Sequence, residues 1–252
     1  ARPPTFAPSV CVFSVYAGKC SRVGSLAGGV CCSITHGAAC PIDVVKTRMQ
    51  LDPVTYNKGM IGGFGQVIEK EGASALLTGL GPTAGGYFVQ GWFKFGGFEF
   101  FKVQLAKSYG DQGAWDNRFM LNSIAAGCAE FIADVFLCPF EATRIRQVSD
   151  PAMAKLSLTG AAAEMMAKEG VIGAFYSGFV PILFKQIPYT IAKFVVQDFA
   201  AETIWSAVGN RDGAGKGTKL TVSLTSGVIA GVAAAIISHP ADTLLSKINK
   251  AG

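Results

Sequence analysis

Apolar and polar positions fall in long blocks along this chain. Residues 23–40, 76–93 and 220–238 contain no Asp, Glu, Lys or Arg. Each block is about the length that a helix rising ~1.5 Å per residue needs to cross a bilayer. The blocks are rich in Gly, Ser, Thr and Ala rather than Leu and Ile, which suits helices packed on one another. Extending the pattern predicts five membrane helices, over about 16–50, 78–108, 116–148, 178–208 and 219–249. A shorter amphipathic stretch separates the first from the second, and the third from the fourth. The opening ARPPTFAPSV is too rich in Pro to predict a helix and lacks the basic-then-apolar order of a secretory signal.

Composition sharpens this reading. Half of the residues are hydrophobic and only 15% are charged, where a soluble domain carries about a quarter. Five such segments in 252 residues leave little chain to cover them, so the pattern excludes an ordinary soluble helical protein. The net charge of +5 comes without any run of like charge, so no nucleic-acid partner is expected. None of the seven Cys forms a CxxC pair or a zinc spacing, and no metal site is expected. No nucleophile elbow or phosphate loop is present, so neither an enzyme nor a cofactor is implied.

The apolar blocks repeat. PIDVVKTR begins at Pro41, PFEATRIR at Pro139 and PADTLLSK at Pro240, 98 and 101 residues apart. All three have the form Pro-x-acid after an apolar run. A second motif keeps register: EGASALLTG starts at Glu71 and EGVIGAFYSG at Glu169, each 30 residues after its Pro. Three copies at near-constant spacing define a tandem repeat. Each unit reads as an apolar helix, a Pro bend, a polar tail, a short helix and a second apolar helix. The acid and the base three residues on share a face, so Asp43 with Lys46 and Glu141 with Arg144 point the same way. Arg48 and Arg146 face elsewhere.

Ionisable groups inside apolar helices are costly and usually functional. Glu130, Asp134, Glu141 and Arg144 form one stripe at helical spacing, and His36, Asp43 and Lys46 another. His36 and Asp134 lie 98 residues apart, at equivalent positions of two repeats. Lys185, Tyr189 and Lys193 recur every four residues on the fourth helix, as Gln90 and Lys94 do on the second. An anion with many acceptor oxygens would use such cations, Lys185 first, with Lys94, Gln90, Lys193 and Arg144 in support. Glu130 and Asp134 would repel it unless paired or protonated. A histidine side chain ordinarily ionises near neutrality, which makes His36, with Glu130 and Asp134, the candidate proton-handling groups.

The Pro-x-acid signatures, the Glu-Gly motifs and the period near 100 residues resemble the mitochondrial carrier family. The resemblance implies an all-α membrane protein of tandem repeats, two transmembrane helices plus a short matrix helix each, around a central cavity. The expected repeats are 1–110, 111–210 and an incomplete third, 211–252, represented by its first helix alone. The segments THGAACPIDVVKTRMQ, AEFIADVFLCPFEATRIR, FKQIPYTIAKF and SHPADTLLSKINK carry a finer likeness. They imply inorganic phosphate as cargo, moved with a proton or against hydroxide across the inner mitochondrial membrane. Lys185 and Gln186 match the family's fourth-helix substrate contact. The resemblance pairs Asp43 with Arg144 and Asp242 with Lys46 as a matrix gate. It leaves Glu141 without a partner from the third repeat, because Leu245 replaces the usual base. Glu99, Lys102 and Asp198 match the cytoplasmic gate, with Ala201 in place of a base. Cardiolipin at the ends of the matrix helices is the implied lipid partner. Two alternatives stay open: a carrier of another small anion such as a dicarboxylate, and a carrier fragment that does not transport. The second and fourth helices offer Lys and Gln where a double carboxylate clamp would ask for Arg.

Overall fold

The computed structural model describes the backbone of residues 8–209 and 213–251, and side chains over 24–237 except 111, 151 and 210–212. The chain runs α1 (Pro8–Leu51), α2 (Gly59–Glu71), a 3-10 turn (Ala73–Leu77), α3 (Leu80–Asp116), α4 (Arg118–Ser149), α5 (Pro151–Ala154), α6 (Leu158–Tyr176), α7 (Phe179–Val208) and α8 (Lys216–Ala251). Among the described residues there is no strand. The five long helices correspond to the five expected from the apolar blocks. α1 starts earlier than expected, at Pro8, where a proline costs little because a first-turn N–H has no helical partner anyway. The helices run on through Pro41 and Pro139.

Among the described residues, four segments are long and apolar enough to cross a membrane: Gly24–Leu51, Arg118–Ser149, Leu158–Val208 and Lys216–Ile237. α3 is missing from that set. Its first half is free of charge but diluted by Gly, Tyr and Gln, and Lys94, Glu99 and Lys102 follow. Absence of charge marked this helix in the sequence; its apolarity does not.

Backbone contacts divide the chain into two compact units. One gathers residues 24–93 and 133–179, the other 1–23, 94–132 and 180–252. In the first unit the repeat becomes geometry. Glu71 and Glu169 are each followed by a glycine, Gly72 at φ 89°, ψ 161° and Gly170 at φ 71°, ψ 170°. Only glycine occupies that region without strain, which explains the second letter of each Glu-Gly motif. The buried thiols also repeat: Cys40 donates to the Thr78 carbonyl and Cys138 to the Phe175 carbonyl, at 3.5 and 3.0 Å. Each thiol ties a transmembrane helix to the end of the short helical segment that follows it.

The same unit holds a backbone-to-backbone crossing of α1 and α3. A Cβ placed on Gly91 would sit 2.6 Å from the Gly28 carbonyl oxygen, and one on Gly29 would sit 2.9 Å from that of Phe88. Side chains would force these helices apart. Gly91→Val should therefore lower the thermal unfolding temperature, at a cost of about 1–3 kcal/mol for overpacking. Gly65→Ala on α2, where a Cβ meets nothing within 4 Å, should be neutral or stabilise by up to about 1 kcal/mol. A thermal shift assay on the two purified variants checks both signs.

Candidate functional site

Small residues let α3, α4 and α7 approach closely in the second unit. Ala125, Ala126 and Ala129 form a core cluster with Phe98 and Phe194, and a Cβ on Gly97 would stand 3.2 Å from that of Ala129. The Phe98 and Phe194 rings stack at 4.2 Å, with Phe95 edge-on to Phe194. In this unit Lys94 reaches Glu130 across from α3 to α4. Lys94 Nζ lies 2.9 Å from Oε2 and 3.1 Å from Oε1, with the side chains 9% and 0% exposed. Breaking such a pair by removing one member typically costs ~3–5 kcal/mol, because the remaining charge stays buried.

Two ammonium groups share one ring here. Lys94 Nζ is 6.0 Å and Lys193 Nζ 5.9 Å from the Tyr189 ring centroid. The patch thus brings two cations and one carboxylate to an aromatic face, a net positive surrounding suited to an anion. Lys185 is exposed and Gln186 half-buried on the same helix. Further along, Lys102 bonds Glu99 at 3.0 Å within α3 and sits 5.0 Å from the Phe98 ring. Asp198 on α7 accepts from Asn122 of α4 at 2.8 Å. Asn122 escaped sequence reasoning, since nothing distinguishes an uncharged Asn near a helix start.

The other unit holds the remaining candidates. His36 stacks flat on Tyr87, with ring centroids 3.6 Å apart and planes 2° from parallel. Gln90 donates to Asp134 over a long 3.4 Å, and both are buried. Arg144 spans two carboxylates, Asp43 at 2.9 Å and Glu141 at 2.7 Å. The expected Asp43–Arg144 contact is therefore present. Glu141, expected to lack a gate partner, instead takes Arg144 of its own helix, because an acid and a base three apart share a face. Arg144, a supporting substrate candidate, has its guanidinium occupied by these two carboxylates. Lys46 is exposed, and the side chains of its expected partner Asp242 and of Leu245 lie outside the described residues.

The bases set aside as facing elsewhere turn out to be structural clasps. Arg48 bonds Glu71 through Nε and Nη2 at 2.9 and 2.8 Å, and donates to the Val148 carbonyl. Arg146 bonds Glu169 at 2.5 Å. Both pairs are 23 residues apart in sequence, a constant spacing that could have revealed them. Tyr56 adds a 2.6 Å bond to Glu71. Burial pushes the Glu71 carboxyl up, but hydrogen bonds from Arg48 and Tyr56 outweigh it and hold it below its ordinary value. Burial, then the bond to Glu71, pushes the Tyr56 hydroxyl up to about 12. Beside Arg48 and Glu71 lies a groove of about 660 Å³, lined also by Gly79, Gly81, Lys155 and Ser157.

Residues 22–109 and 116–207 match the profile of the family described as mitochondrial carrier protein. The chain is 48% identical over 227 residues to mitochondrial substrate carrier family protein N of Dictyostelium discoideum, covering 88% of this chain and 75% of that one. It is 41% identical over 235 residues to the mitochondrial phosphate carrier protein of Caenorhabditis elegans, covering 92% and 68%. To the probable mitochondrial phosphate carrier protein of Schizosaccharomyces pombe it is 39% identical over 236 residues, covering 93% and 74%.

Two outcomes test the local geometry. Reversing both charges of Asp43 and Arg144 should restore more stability or activity than either single reversal, with a coupling on the order of 1 kcal/mol or more. Additive losses would show that the pair is energetically idle. For the clasp, Glu71 is held low, so its contribution is present above the unfolded carboxyl value of about 4.3 and lost as pH falls through the folded one. Tyr56 is held high, so its contribution is present below the unfolded value of about 10 and lost as pH rises through the folded value. Thermal stability of wild type and Tyr56→Phe measured against pH should converge at both extremes and separate by roughly 1 kcal/mol between them.

Proposed function

Because the chain belongs to the mitochondrial carrier family, we propose that it moves inorganic phosphate together with a proton by alternating access. It is a multi-pass protein of the inner mitochondrial membrane. The cargo is carried over from relatives named phosphate carriers. The observation that carries the coupling is the buried Lys94–Glu130 pair. Phosphate entering beside Tyr189 competes with Glu130 for the Lys94 ammonium. Once Lys94 turns to the phosphate oxygens, the Glu130 carboxylate would be a buried anion next to a second anion, an arrangement relieved by taking up a proton. Cargo and proton then load together. Uptake with a proton and exchange against hydroxide are the same net movement.

The other residues take roles around that step. Lys193, Lys185 and Gln186 supply further contacts along α7, and Gln90 and Asp134 a second polar pair. His36, stacked on the face of Tyr87, is the further candidate for the proton. Asp43, Glu141 and Arg144, with Lys46 and Asp242, form the matrix gate. Glu99, Lys102 and Asp198 belong to the cytoplasmic one. The groove at Gly79 and Ser157 suits the headgroup of an anionic lipid such as cardiolipin at the matrix-helix ends.

The test is labelled phosphate uptake into liposomes holding the purified full chain, driven by a pH gradient, with malate as a competitor. Wild type should accumulate phosphate and ignore malate. Glu130→Gln and His36→Ala should fold and insert but lose pH-driven uptake. Undiminished uptake in Glu130→Gln would remove Glu130 from the coupling, and preference for malate would replace phosphate as cargo.

A further inference from the structure

We infer that Thr190 is a positioning residue for the proton on Glu130, its hydroxyl accepting that proton's hydrogen bond when Lys94 is drawn away. This deepens the phosphate–proton reading and rests on it. Thr190 is fully buried on α7, and its Oγ1 makes no hydrogen bond among the described residues. That is unusual twice over. A buried hydroxyl is nearly always satisfied, and a helical Thr can ordinarily bond the carbonyl four residues back. Thr35, Thr47, Thr83, Thr143, Thr203 and Thr221 all do so here.

Register brings Thr190 close to the level of Glu130. α4 and α7 pack antiparallel in one unit: Arg118 meets Glu202 at 3.5 Å, and Asn122 meets Asp198 at 2.8 Å. Gly127 then meets Ile191 and Ile187 at 3.7 and 3.9 Å. Continuing inward by two turns from Asn122 and Asp198, with the Gly127 contacts taken into account, brings Glu130 and Thr190 within about one turn of each other in level. Tyr189, the chain neighbour of Thr190, confirms that level, since its ring is 6.0 Å from the Lys94 ammonium that holds Glu130.

The chemistry distinguishes the two states. An ionised carboxylate only accepts hydrogen bonds, and Lys94 supplies its donor. A protonated carboxyl acquires an O–H that must find an acceptor in a dry setting. Lys94 from α3 stands 2.9 Å from Glu130, and Asp134 is one turn along its own helix. From α7, the Tyr189 ring lies 6.0 Å from that Lys94 ammonium, with the Lys193 ammonium 5.9 Å from the same ring. Neither ammonium can accept a hydrogen bond. Thr190 Oγ1 has its lone pairs uncommitted and lies in the right layer. The unsatisfied hydroxyl of the unloaded state is then the acceptor that the loaded state needs.

Labelled phosphate uptake into liposomes, measured against external pH, tests this with Thr190→Val and Thr190→Ser. Val preserves the volume and removes the hydroxyl; Ser keeps the hydroxyl. Thr190→Val should lower pH-driven uptake about tenfold and move the half-maximal point about one pH unit to the acid side, while Thr190→Ser keeps the wild-type profile. A wild-type profile in Thr190→Val overturns the inference. So does equal loss in both variants with no shift along the pH axis, which would mark a packing role. Absence of pH-dependent phosphate uptake in wild type would instead sink the parent reading.

Discussion

A charge set into an apolar helix has to be compensated close by, and that constraint organises this protein. The cost of leaving a carboxylate or ammonium alone away from water far exceeds what any single contact returns. Lys94 therefore holds Glu130, and Arg144 divides itself between Asp43 and Glu141. The clasps Arg48–Glu71 and Arg146–Glu169 follow the same rule where the short helices meet the long ones. Small side chains at Ala129 and Gly97 bring α3 and α4 near enough for the Lys94–Glu130 pair to close. A substrate anion that enters such a system becomes another claimant on cations already engaged, so binding and the rearrangement of ion pairs are one process.

Much of the fold was legible because its cause is local and periodic. The helices follow from long uncharged blocks, and the repeat from Pro-x-acid signatures at near-constant spacing. Glycine after Glu71 and Glu169 follows from a backbone conformation that other residues avoid. The site was legible at the level of stripes. A carboxylate in an apolar helix announces itself, so Glu130 and Asp134 stood out, as did Lys94.

Partner choice was harder to read. Sequence places residues on a face but does not say which of two nearby cations wins a carboxylate. Glu141 was expected to find no base in the third repeat, and Arg144 three residues away serves it as well as Asp43. Arg48 and Arg146 were set aside because they leave the polar stripe, and their role depends on short helices whose orientation only the fold supplies. Neutral partners were the least visible. Asn122, Tyr87 and Thr190 have no charge to draw attention, and each gains meaning only from the group opposite.

The glycine crossing of α1 and α3 bears on how such a molecule could move. At Gly28 and Gly91 the two backbones meet through residues without side chains, with the Cys32 Cβ and the Phe88 ring beside the contact, so little must be withdrawn for one helix to tilt against the other. Such a contact acts as a fulcrum. From Gly91 to the start of α3 at Leu80 is a lever of about 17 Å at ~1.5 Å per residue, so a tilt of about 10° would carry that end through roughly 3 Å. That displacement is the length of one hydrogen bond, enough to open an ion pair completely while the pivot itself hardly shifts.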